Sequence, residues 1–264
     1  DINLAFRLLT DCVIDTNHLD FYRKLVTLAN WEEAHPNQKS EFGQHLQALA
    51  DELKTFDFES KFTGETLMST SGLTKDYGRF KLSDVSIDIC QGEVWGLVGE
   101  NGNGKTTLLR MLSGDLEPSS GTLSYPFSKH KSHYNLRTDL VYIPQRTAKH
   151  TGSILNHLKF TAAQYKYRGE HSDLISKLYL IRLGLWSFRE LNWSQLSSGY
   201  KMRFELAKTL VRHPKILILD EPSNHLDSDG RNWLLEQCQL FEGKVLVVSH
   251  DRSLLRHMEG IYHL

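Results

Sequence analysis

The sequence predicts an α/β fold, a sheet covered by helices, that follows a separate helical extension. Three observations lead there. Short β-rich apolar runs at 93–98, 140–143, 216–219 and 245–248 alternate with helical stretches from about residue 68 onward, which is how such a layered core is written. The first of these runs ends in a glycine-rich turn that opens a helix. Residues 2–56 contain no comparable run and carry apolar side chains at helical spacing instead.

In the N-terminal stretch, Leu4, Leu8 and Val13, then Phe21, Leu25 and Leu28, then Phe42, Leu46, Leu49 and Leu53 recur every three or four residues, which predicts three short helices. Asn17 and the run Ala34, His35, Pro36, Asn37 separate them, because proline lacks an N–H and biases its predecessor away from helix. Residues 57–70 read as a linker. The expected organisation is therefore a helical extension over 1–60 and a second domain over 68–264, with a helical subdomain at about 152–195 inside it.

Composition narrows the function classes. A chain of 264 residues that is 40% apolar builds a substantial core. Its 31 basic and 32 acidic side chains leave a formal charge of -1, so no global positive field points to nucleic acid or an anionic membrane. Cys12, Cys90 and Cys238 form no CxxC pair, which argues against a disulfide framework or zinc site and fits a reducing cytoplasm. No apolar run reaches the ~20 residues needed to span a bilayer, and no signal peptide opens the chain. The first residue is Asp1 rather than Met, which leaves room for flanking domains.

The strongest local signal is Gly99, Glu100, Asn101, Gly102, Asn103, Gly104, Lys105, Thr106, Thr107. It satisfies GxxxxGK[ST] between an apolar strand and a helix, the context its chemistry requires. The glycines let backbone N–H groups approach phosphates, the helix points its positive end at them, Lys105 reaches the terminal phosphates, and the Thr106 hydroxyl suits Mg²⁺. A plain βα turn has no need of the Lys-Thr pair. Downstream, Ile216, Leu217, Ile218 and Leu219 form an apolar run that ends in Asp220 and Glu221. Open α/β sheets bind ligands at the carboxyl ends of their strands, so Asp220 suits the metal's surroundings and Glu221 suits the polarisation of an attacking water.

With these residues in place, the chain resembles the ABC (ATP-binding cassette) ATPases over about residues 68–264. That resemblance implies a P-loop NTPase core of ABC type: a mixed sheet with helices, an antiparallel β region and a helical subdomain. Tyr77 resembles the aromatic that stacks on adenine. Gln145, in Tyr142, Ile143, Pro144, Gln145, resembles the glutamine that touches Mg²⁺ and senses the γ-phosphate. Leu196, Ser197, Ser198, Gly199, Tyr200 resembles the signature motif, which acts in trans through Ser197, Ser198 and Gly199. Asp227, in Ser223, Asn224, His225, Leu226, Asp227, resembles the aspartate of the loop joining two sites, and His250 the switch histidine.

The resemblance implies ATP and Mg²⁺ as ligands, hydrolysis of ATP, and a second cassette as partner, in a homodimer or a paired arrangement. Two departures stand out. Ser198 and Tyr200 replace the family's usual glycine and glutamine, which is expected to slow hydrolysis, and Asn103 occupies a position where a small residue is more usual and where tolerance of positive φ is an advantage. The sequence also echoes itself, Asp15 to Asp20 against Pro222 to Asp227. No apolar strand ending in an acid pair precedes the first copy, so chance is the expected source.

The expected role is the ATP-binding subunit of a membrane transporter, peripheral at the cytoplasmic face and joined to an integral membrane subunit. About fifty residues separate Gln145 from the signature, as in transporter cassettes. The alternative is an ABC-F-like ATPase acting on the ribosome or another large complex. The wording of Asn224 to Asp227 and Ser249 to Arg252 resembles that group, and direct nucleic-acid contact is expected only in that case. A catalytically idle scaffold requires loss of Lys105 or Glu221, and both are intact.

Overall fold

The computed structural model describes residues 18–56, 64–127, 139–145, 149–165, 167–224, 226–241 and 243–264. The helices are α1 (Leu19–Ala34), α2 (Lys39–Leu53), α3 (Lys105–Leu112), α4 (Ile154–Tyr165), α5 (Glu170–Arg182), α6 (Ser198–Leu210), α7 (Ser228–Gln239) and α8 (Arg252–Leu255). The strands are β1 (Thr66–Asp76), β2 (Lys81–Val85), β3 (Asp88–Cys90), β4 (Val94–Val98), β5 (Ser120–Ser124), β6 (Leu140–Ile143), β7 (Ile216–Asp220), β8 (Lys244–Val248) and β9 (Gly260–His263). They form two compact units, one of residues 1–60 with 148–212 and the other of 61–147 with 213–264.

In the second unit, five parallel strands run in the order β6-β7-β8-β4-β9. Strand β7 is buried at all but its last residue, and every residue of the central strand β8 is buried, as expected for a parallel strand covered on both faces. Lys244 belongs to that strand and is fully buried, so its ammonium needs a partner. Glu93 supplies one at 2.8 Å, and the Trp95 ring lies 4.8 Å from the same nitrogen. Strand β1 pairs with β2, β3 and β5 in an antiparallel sheet. Helix α3 contributes Leu108, Leu109, Met111 and Leu112 to a core shared with Met68, Leu73 and Ile89 from the antiparallel sheet and Leu97, Ile218, Leu246 and Val248 from the parallel one. Burial of each such side chain stabilises by roughly 1.5–3 kcal/mol. Strand β1 starts at Thr66, inside the stretch read as linker, because Leu67 and Met68 find that core to fill.

The first unit is helical. Helices α1 and α2 form a hairpin whose turn falls at Pro36, and it is held by Phe21, Tyr22, Leu25 and Leu28 of α1 with Phe42, Leu46 and Leu49 of α2. The third N-terminal helix expected from Leu4, Leu8 and Val13 lies outside the described residues. Helix α1 packs on α5, and Glu33 reaches Arg189 at 2.9 Å. The hairpin therefore belongs to the same compact body as α4, α5 and α6. Inside that body lies a polar cluster: Glu205 accepts from Lys208 at 2.7 Å, and His150 lies 3.2 Å from Glu205 and 2.6 Å from Lys208. No described helix is long and apolar enough to cross a membrane.

Candidate functional site

Parallel pairing fixes where the candidate residues meet. Strands β6, β7, β8 and β4 are consecutive neighbours, so the segments that follow them leave from one edge of the sheet. Gln145 lies two residues past β6, Asp220 ends β7 with Glu221 directly after it, His250 lies two residues past β8, and the glycine loop follows β4. Four stretches far apart in sequence thus converge at the carboxyl edge, where open α/β sheets take their ligands.

The loop is shaped by its glycines. Gly102 and Gly104 adopt φ of 90° and 89°, a region glycine enters without steric cost. A Cβ on Gly104 would lie 2.7 Å from the Phe80 ring, so the loop is also packed too closely there for any side chain. Gly104 caps α3, directing the free N–H groups of the first turn outward. Asn101, Gly102, Asn103 and Thr106 are exposed, while Gly99, Lys105 and Thr107 are partly buried. The Lys105 ammonium donates to the carbonyls of Gly99 at 2.6 Å and Glu100 at 2.9 Å. Asn103 does not use the positive φ expected to suit it; among the described non-glycine residues only Asp84, His213 and Glu221 have positive φ. The Asn103 amide donates to the Leu264 carbonyl at 3.2 Å instead.

Glu221 adopts φ of 49°, which costs an L residue on the order of 1–3 kcal/mol and is kept where surrounding structure enforces it. The enforcement is visible: its N–H donates to the Val248 carbonyl at 2.8 Å, and its carboxylate lies 3.4 Å from Nε2 of His250. Its side chain is 15% exposed against 53% for His250. Burial raises the Glu221 pKa above the usual carboxylate value, and Asp220 adds to this, while His250 and Lys105 pull it down. A carboxyl raised in this way takes up a proton more readily than a solvated one, as a water-activating base must.

Asp220 has a partner that motif reading missed. The Tyr142 hydroxyl, on neighbouring β6, donates to Asp220 at 2.8 Å. Burial and this bond to a carboxylate raise the tyrosine pKa. The only available signal was the position of Tyr142 three residues before Gln145, and the pairing of β6 with β7 is needed to use it.

Tyr77 is 51% exposed on the turn between β1 and β2. Its ring lies 6.5 Å from that of Phe80, at 28°, and Phe80 is the ring that abuts Gly104. A flat exposed aromatic thus stands one ring away from the glycine loop. Asp227 caps α7 by accepting the Gly230 N–H at 2.8 Å, while His225, from the same motif, lies outside the described residues. In the helical unit, Ser197 caps α6 and accepts from the Tyr200 N–H at 3.4 Å. Ser197 and Ser198 are exposed and Gly199 partly buried.

A family model described as ABC transporter matches residues 82–224. Among curated proteins, the probable ATP-binding protein YheS of Escherichia coli K12 is 31% identical over 252 residues, covering 91% of this chain and 36% of YheS. The ribosome protection protein VmlR of Bacillus subtilis is 33% identical over 192 residues, covering 72% of this chain and 29% of VmlR. This chain thus spans about a third of the length of the curated relatives it matches. Among solved structures, CbiO1 of Clostridium perfringens, part of the ABC transporter complex CbiONQ, superposes with a TM-score of 0.67 at 26% identity, covering 75% of this chain and 84% of CbiO1. The matched span 82–224 is 143 of 264 residues and contains the glycine loop, Gln145, the Ser197 turn and the acid pair, so the chain belongs to the ABC transporter family, whose cassettes bind and hydrolyse ATP.

Proposed function

We propose that this cassette binds ATP between its own glycine loop and the Ser197 turn of a second cassette, and that hydrolysis reopens the pair. The observation that carries this reading is the convergence of Lys105, Glu221, His250 and Gln145 at one sheet edge. Tyr77 stacks on adenine, and the N–H groups of residues 99–107, with Lys105, hold the phosphates. Ser197, Ser198 and Gly199 cap the γ-phosphate from the partner cassette at the N-terminal end of α6. A head-to-tail pair with two-fold symmetry satisfies both sites at once. Asp227 links one site to the other.

The donor set suits Mg²⁺, since the Thr106 hydroxyl, Gln145 amide and Asp220 carboxylate are hard oxygen ligands on segments of one sheet edge. When bound, the ion neutralises charge on the β- and γ-phosphates. Glu221 orients a water for in-line attack, His250 holds Glu221 and the γ-phosphate in register, and Lys105 stabilises charge on the transferred group. Closure depends on contacts ATP offers only in the paired state, so loss of the γ-phosphate removes the drive to stay closed. Glu221→Gln should trap an ATP-bound dimer on size exclusion. A variant that stays monomeric at every ATP concentration sinks the closure model.

For the load that closure moves, the reading best supported is a large assembly of the ribosomal kind. At 91% of 264 residues the match to YheS leaves about 24 residues unaligned, so it must run through residues 25–240 and take in most of the α1–α2 hairpin. VmlR, named for ribosome protection, is a further relative. The transporter reading is supported by the spacing of Gln145 from the signature and by CbiO1, whose similarity covers 75% of the chain. On that reading the cassette sits at the cytoplasmic face of a membrane beside an integral subunit. ATP-dependent sedimentation of the Glu221→Gln variant with ribosomes supports the first reading; co-purification with an integral membrane protein, without ribosomes, overturns it in favour of the second.

A further inference from the structure

We infer that the N-terminal hairpin positions the signature turn, and that Glu33, Arg189, Phe188 and Tyr200 form the relay between them. The inference rests on the reading that this turn caps ATP in a partner cassette. Two features otherwise without a role carry it: the hairpin itself, and the tyrosine that stands where the family usually has glutamine.

The short 3₁₀ turn Trp186–Phe188 is held from two sides. On one side, the Arg189 guanidinium meets both carboxylate oxygens of Glu33, at 3.1 and 2.9 Å. It also donates to the Trp186 carbonyl at 2.9 Å and lies 4.4 Å above the Trp186 ring. The Arg189 side chain is 22% exposed and that of Glu33 43%, so this is a two-point, stacked pair desolvated mainly on the arginine side. On the other side, the Phe188 ring lies 4.3 Å from the Tyr200 ring.

Tyr200 stands in the first turn of α6, three residues after Ser197, and its N–H is the group Ser197 caps. Arg203 also lies over that ring, 5.7 Å from its centroid, and donates to the Leu183 carbonyl at 3.0 Å. The tyrosine ring thereby contacts both the 3₁₀ turn and the next turn of its own helix. The backbone between the two sides is also fixed: the carbonyls of Arg189 and Leu191 accept from Leu155 and Ile154 at 3.1 and 3.0 Å, and an Asn192–Gln195 capping box shapes the next turn. Glutamine has no ring to pack against Phe188. In this chain Tyr200 gives up the family's amide and gains an anchor that reaches α1 through a single turn. These are positioning residues, since each is argued to act through the turn formed by Ser197, Ser198 and Gly199.

The test uses the 264-residue chain carrying Glu221→Gln, with ATP-dependent dimerisation read by analytical ultracentrifugation and nucleotide binding to the monomer read with a fluorescent ATP analogue. Adding Glu33→Gln, Arg189→Gln or Tyr200→Ala should weaken dimerisation about tenfold, while analogue binding stays within about twofold. The swap Glu33→Arg with Arg189→Glu should recover most of the loss, and Tyr200→Phe, which keeps the ring, should dimerise normally. The relay is overturned if Glu33→Gln and Tyr200→Ala dimerise like their parent. It is equally overturned if they lose dimerisation and analogue binding together with their melting temperature, as a merely structural role predicts. Should the Glu221→Gln parent itself fail to dimerise with ATP, the closure reading falls first and this inference with it.

Discussion

Glu221 and His250 face each other at 3.4 Å from the ends of adjacent parallel strands, one side chain mostly buried and the other half exposed. The carboxylate is thus fixed by backbone and by burial, while the imidazole stays open to a ligand. Glu221→Gln keeps the shape and removes the base, so turnover should drop by about 10²–10⁴-fold while ATP binding is preserved. A phosphate-release assay beside a binding isotherm checks both. His250→Ala should also lower turnover, and an unchanged rate in that variant removes His250 from the mechanism.

The glycine loop gives a sharper structural prediction. Gly104→Ala forces a side chain into a left-handed backbone and to 2.7 Å from Phe80. Nucleotide binding should be lost and the melting temperature lowered, whereas Lys105→Ala should lose binding with the melting temperature nearly kept. Calorimetry with ATP and a thermal melt separate the two.

Tyr142→Phe removes one hydrogen bond to Asp220 and little else. Loss of a partner that orients a metal-facing carboxylate typically costs about 10–100-fold in metal affinity. The half-saturating Mg²⁺ concentration for hydrolysis should therefore rise by about that factor, with metal-free nucleotide binding unaffected.

The helical unit should respond to acid through His157. Burial first, then His150 and Lys208, lower its pKa from 6.5 to about 4. Between those values the unfolded chain binds more protons than the folded one, so stability falls as pH is lowered from 6.5 towards 4. The groups around it are His150, at 4.3 Å between ring centroids, with Lys208 and Glu205 of α6. Denaturant melts of His157→Gln should show a flatter dependence over that window. An unchanged slope assigns the acid sensitivity elsewhere.

The sequence by itself determined the chemistry and the local structure that bears it. Glycine spacing writes the loop, an unbroken apolar run writes a strand buried on both faces, and these signals live within a few residues, where backbone sterics and side-chain periodicity act. The two helices described in the N-terminal hairpin were legible for the same reason. The order β6-β7-β8-β4, by contrast, exists only once distant strands pair, and no local propensity encodes which strand lies beside which. That pairing is what set Tyr142 on Asp220 and His250 beside Glu221. Likewise, α1 read as an appendage because its amphipathic pattern states that it packs without stating against what. Only the folded chain put Glu33 on Arg189 and packed α1 on α5, since side-chain contacts across 156 positions of sequence depend on tertiary geometry alone.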